Sequence, residues 1–392
     1  MFSSRLHWDL RPNPLTELLR SKRNSGVEIL DLTESNPTRA DIIYPQFGIM
    51  GADSRSLRYE PTPAGLLSAR EAIAHDYYGP LGVKAHPGRI VLTASTSEAY
   101  AYVMKLLTNP GDEMLVPRPS YPLFEFLATM ESVRITHYPL AYDEGWTIDL
   151  DALAAALTDR TRVIALVNPN NPTGSFVKRR EFDRLVAICR ERDLAIISDE
   201  VFSDYAFTPD PERIEHLVNA DAALTFCLSG LSKVAGLPQM KLGWIVISGP
   251  EPARTQAVER LELIADTYLS VATPVQHAAP ALLRAGAAIR DQIRLRTRRN
   301  LDRLRTGIEG SVNRLLQVEG GWYATVQAPL VRSAEEWALE LLERCHVLAQ
   351  PGYFYDFDRE ALLVLSLLTP EETFREGLRR IMEYVDKTVG QS

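Results

Sequence analysis

The middle of the chain alternates short, nearly continuous apolar runs with stretches of helical periodicity. RIVLT at residues 89–93, RVIALV at 162–167 and LAIIS at 194–198 are apolar at almost every position. Residues 113–116, 223–229 and 244–248 are further strand candidates. Between them, residues 97–107 and 178–192 carry apolar positions three and four apart, the spacing of one helix face. Strands apolar on both faces and separated by helices belong to a mostly parallel sheet covered on both sides. Such sheets bind ligands beyond the carboxyl ends of their strands, so chemistry is expected there. After about residue 250 the pattern changes to long helices at 251–269 and 288–310, strand-like pieces at 323–326 and Leu362–Ser366, and a last helix at 371–385. The chain thus reads as α/β in three parts: an arm over 1–40 that packs with the small domain, a large domain over 41–275, and a smaller α+β domain over 276–392.

Composition narrows the function more than the fold. Of 392 residues, 45% are hydrophobic and 24% charged, which suits a soluble globular protein with a sizeable core. Lys and Arg total 43 against 51 Asp and Glu, a net charge of −8, so no nucleic-acid partner is expected. The basic run Arg294, Arg296, Arg298 and Arg299 has the spacing of a solvated helix face. The three cysteines, Cys189, Cys227 and Cys345, are odd in number and lack metal-ligand spacing, which fits a reducing compartment. Cys189 and Cys227 read as small core residues in a helix and a strand. The N-terminal segment has no apolar signal core and no run reaches membrane-spanning length. A cytoplasmic protein with no membrane partner is expected.

Four segments carry chemistry. SGLSK at 229–233 puts Ser232 and Lys233 in a small-residue turn after an apolar strand. Alone this is an ordinary loop lysine; desolvated at a strand end, its amine pKa falls and it can form imines. ISDEVF at 197–202 aims Asp199 into the crevice, where a carboxylate can hold a pyridine nitrogen protonated, unless it only caps a helix. NPNNPTG at 168–174 is a rigid loop in which Asn171 can donate to a phenolate oxygen. ASTSEA at 94–99 opens a helix with Ser95, Thr96 and Ser97, either as a plain N-cap or as a phosphate cradle.

In this order the four segments resemble the class I/II aminotransferases, fold type I enzymes of pyridoxal 5′-phosphate (PLP), over nearly the whole chain. The resemblance implies that Lys233 carries PLP as a Schiff base and returns protons as a general base. It implies that Asp199 pairs with the ring nitrogen, Asn171 lies near the ring hydroxyl, and Tyr121 of PSYP stacks on the ring. Ser95, Thr96, Ser97, Ser232 and Lys241 then surround the phosphate. Tyr59 of YEPTPAG reaches the partner's phosphate, which implies a homodimer. DLTESNP at 31–37, GGWY at 320–323 and PGYF at 351–354 match further family segments. The implied activity is transfer of an amino group from an amino donor to a 2-oxo acid.

Three positions depart from the family. Phe202 stands where many members have a tyrosine that bonds the ring oxygen. Lys241 stands where Arg is usual, keeping the charge without the fork. Val364, in LVLS at 363–366, occupies the place of the arginine that grips the substrate α-carboxylate. Either another cation serves, with Arg39 and Arg118 as candidates, or the substrate is bulky, carrier-bound or without a free α-carboxylate. Other PLP reactions stay open alongside transamination: β-elimination, decarboxylation, racemisation or cyclisation. So does a non-catalytic PLP-binding regulatory module.

Overall fold

A computed structural model describes residues 1–45 and 54–390. Its largest sheet has eight strands. Across the sheet these run Ile90–Thr93, Gly243–Ser248, Thr225–Gly230, Ala195–Asp199, Thr161–Val167, Glu113–Arg118, Arg134–Tyr142 and Trp146–Ile148. The five strands from Thr225–Gly230 to Arg134–Tyr142 pair in parallel; Gly243–Ser248 and Trp146–Ile148 run against their neighbours.

The apolar runs explain this arrangement. Successive residues of a strand face opposite sides, so a strand covered twice must be apolar throughout. Ile164, Leu166, Ile196 and Trp244 enter one core. Their neighbours Val163, Ala165, Ile197 and Ile245 enter another on the opposite face, under helices Thr96–Leu107 and Glu251–Tyr268. The fold is the expected α/β one, with a mostly parallel sheet flanked by helices.

A third core lies under an antiparallel four-stranded sheet of Arg314–Leu315, Tyr323–Gln327, Leu362–Ser366 and Gln350–Pro351. Helices Ala334–Cys345 and Glu371–Gly390 cover it. Leu15 and Leu32 of the N-terminal stretch are buried in this core, and Leu30–Asp31 pairs in parallel with Val347–Leu348. Trp8 instead packs its ring 5.2 Å from Phe126, beside the larger sheet.

The helix expected at 288–310 starts at Thr273 and runs 36 residues to Ile308, through Pro280 and Gly286. Ala278, Ala279, Leu282 and Leu283 are buried along the added turns, and that packing outweighs the local breakers. The arginine run on this helix is not simply a solvated face. Arg294 donates to the Asp204 carbonyl at 2.7 Å, Arg296 to the Ala40 carbonyl at 2.8 Å and Arg298 to the Phe207 carbonyl at 2.9 Å. Arg299 pairs with Glu371 at 3.1 Å. These arginines fasten the helix to its surroundings.

Candidate active site

The parallel strands end at a common edge, and the loops after them wall a cavity of about 390 Å³. Ser95, Thr96, Ser97, Tyr121, Asn171, Asp199, Phe202, Ser232, Lys233 and Lys241 all line it. Residues more than a hundred positions apart thus meet where sheet geometry predicts. Tyr59 does not join them: it is 74% exposed and borders a separate surface hollow. Arg39 and Arg118 are not among the lining residues. Arg118 is engaged elsewhere, with Nε on the Asp356 carbonyl and Nη2 on Asp358, both at 3.0 Å. Val364 is buried in its strand, beside Thr325 and Gln350.

Backbone constraints place the key groups. Gly230 ends a strand and stands back to back with Gly243; a Cβ on either would come within 3.0 Å of neighbouring backbone. Gly243 lies in turn against Ser95 and Thr96. The segments bearing Lys233, Lys241 and the three hydroxyl residues therefore converge on one small-residue contact. Lys233 sits in the short helix Leu231–Val234, whose last carbonyls accept from Tyr205 Oη at 2.5 Å and Arg290 Nη1 at 3.2 Å. Its amine lies 4.8 Å from the Trp322 ring centroid and 5.7 Å from that of Phe202. Burial lowers the amine's pKa to about 8, against the opposing pull of Asp199.

Asp199 closes its strand and faces the cavity. The next residue, Glu200, turns the other way and takes bonds from Ser198 Oγ and the Leu217 amide, with His216 Nδ1 3.0 Å away. Burial raises the Asp199 carboxyl to about 6, while the Val201 amide at 3.2 Å, Tyr100 Oη at 3.1 Å and the charge of Lys233 pull it down. Across the cavity, helix Thr96–Leu107 presents its N-terminus, with Ser95 Oγ capping the Glu98 amide at 3.2 Å.

The sequence matches a known family. The sequence model described as aminotransferase class I and II covers residues 38–381. The chain belongs to that family. It is 32% identical over 282 residues to the glutamate-pyruvate aminotransferase AlaA of Escherichia coli K12, covering 70% of this chain and 68% of the relative. Arginine–pyruvate transaminase AruH of Pseudomonas aeruginosa is 29% identical over 393 residues, covering 98% and 96%. An alanine aminotransferase structure from Pyrococcus furiosus shares the fold, with a TM-score of 0.87 at 24% identity over 99% of this chain and all of that one. The protein is accordingly a PLP-dependent transferase of the aminotransferase class I and II family.

The cavity suits PLP by its own chemistry. Among the described residues Asn171 Oδ1 is buried without a partner, an acceptor open to a ring hydroxyl. A helix N-terminus with three hydroxyl residues and a lysine at the rim answers a phosphate. A buried carboxylate and a desolvated amine answer a pyridinium and an aldehyde. Sequence reasoning missed Ser35, Tyr100, Phe124 and Tyr323, which also line the cavity. Ser35 had a signal, since it lies in DLTESNP; Tyr100 had only its place one turn beyond Thr96.

Among the described residues no helix is long and apolar enough to cross a membrane. Cys189 and Cys227 are buried, and burial pushes the Cys189 thiol up to about 12, which suits a packing residue rather than a nucleophile.

Proposed function

We propose that the protein transfers amino groups with Lys233 as its central residue. The observation that carries this reading is the pairing of a desolvated amine with a buried carboxylate in one cavity, opposite a helix N-terminus. PLP supplies, when bound, an aldehyde that condenses with amines and a ring that draws electrons from the attached carbon. Lys233 Nζ would anchor it and, once freed by the substrate amine, would take the proton from the amine-bearing carbon and deliver it to the carbon that was the aldehyde. With a pKa near 8, about a quarter of this amine is unprotonated at pH 7.5, against roughly a thousandth for an ordinary lysine. Asp199 would hold the ring nitrogen protonated, the Asn171 amide would meet the ring hydroxyl, and Tyr121 would cover one ring face. Ser95, Thr96, Ser97, Ser232 and Lys241 hold the phosphate. In a homodimer, Tyr59 completes the partner's site, which accords with its exposure.

The names of the relatives favour an amino acid donor and a pyruvate-like acceptor. A second reading has its own support: Val364 is apolar and buried, and Arg118 is committed to Asp356 and Asp358. It assigns the site a substrate without a free α-carboxylate, or another PLP reaction. Absorption spectra during single half-reactions separate these. A transaminating donor converts PLP to the pyridoxamine form stoichiometrically, whereas elimination or racemisation restores PLP at each turnover. Borohydride before donor addition should fix the vitamin on the Lys233 peptide. A label on another peptide refutes the assignment.

A further inference from the structure

We infer that Tyr100 is a positioning residue that orients Asp199 toward the cofactor's ring nitrogen and favours its ionised form. The inference rests on the role proposed above for Asp199. Among the described residues each carboxylate oxygen has one donor: the Val201 amide on Oδ1 at 3.2 Å and the Tyr100 phenol on Oδ2 at 3.1 Å. The amide comes from the carboxylate's own loop. The phenol comes from a different element, helix Thr96–Leu107, and so ties the end of strand Ala195–Asp199 to the opposite wall.

That helix also presents the hydroxyl residues that answer a phosphate, and Tyr100 follows Thr96 by four residues, about one turn. One rigid segment thereby sets both the phosphate cradle and the carboxylate. Tyr100 is buried and its ring is braced edge-on by Phe124, with centroids 5.4 Å apart, so the phenol has a fixed aim. Burial holds its pKa well above the ordinary tyrosine value, which keeps it a donor at any working pH. The other charged groups around Asp199 oppose each other: Lys233 favours its ionised form and Glu200 disfavours it. Against the burial that raises it, the Val201 amide and then the Tyr100 phenol favour the ionised carboxylate, and of these two only the phenol is a side chain that can be exchanged.

The test is the PLP affinity of the apoprotein from pH 5 to 9, in wild type, Tyr100→Phe, Asp199→Asn and the double variant. Tyr100→Phe removes a single oxygen, and a matching melting profile of the apoprotein verifies that it folds. We expect the acid limb of PLP affinity to move up by about one unit in Tyr100→Phe, with a loss of ~2-fold near pH 7 that grows to ~10-fold near pH 5. In the Asp199→Asn background the same change should have no effect. An unmoved limb, or an equal loss in both backgrounds, overturns the inference and makes Tyr100 a packing residue. A wild-type limb that persists in Asp199→Asn instead sinks the Asp199 assignment, and this inference with it.

Discussion

Asp199 is costly to the protein until it has a partner, and the cost can be measured. Its carboxyl is raised from 3.8 to about 6, chiefly by burial. At 1.36 kcal/mol per unit, ionising it in the folded apoprotein costs about 3 kcal/mol. Because the folded value lies above the unfolded one, proton-linked stability is full below pH 3.8 and lost as pH rises through 6. Asn has nearly the same shape and never ionises. Urea unfolding of apoprotein should therefore give equal stability for wild type and Asp199→Asn near pH 4. Above pH 6 the variant should be favoured by up to about 3 kcal/mol, while binding PLP less well. A stability gap that is independent of pH, or a less stable variant at pH 7, would refute the burial argument.

Two further variants probe the cavity walls. In Phe202→Tyr, a phenol added beside Lys233 should lower the pKa of the cofactor–lysine linkage by about one unit, read by spectral titration; identical titrations would sink this. In Gly243→Ala the new methyl meets Ser95 C and Thr93 Oγ1 at 3.0 Å. Overpacking of about 1–3 kcal/mol, borne at the helix start, should appear as a ~5- to 150-fold rise in the PLP dissociation constant, and an unchanged constant would contradict it.

What the sequence revealed follows the physics of each element. Doubly covered strands announce themselves because every residue must be apolar, and 162–167 and 194–198 were found to within a residue or two. Arg134–Tyr142 went unread: one strand from the sheet edge and only partly buried, it keeps His137 and Pro139 and shows no apolar run. The helix expected at 288–310 begins at Thr273 because the neighbours that bury its first turns are visible only in three dimensions. Among site residues, those in dense loops with distinctive turn residues were legible. Tyr100 was not, because a tyrosine within a helix looks like core until its partner, 99 positions away, is placed beside it.

Gly286 lies where that helix crosses the lysine turn, and a Cβ there would fall 2.4 Å from the Ala235 Cβ. Four residues on, Arg290 grips the Val234 carbonyl. The reactive amine can therefore be adjusted from behind. A change on this strut, outside the cavity and touching no ligand, would tilt the platform from which the amine is presented.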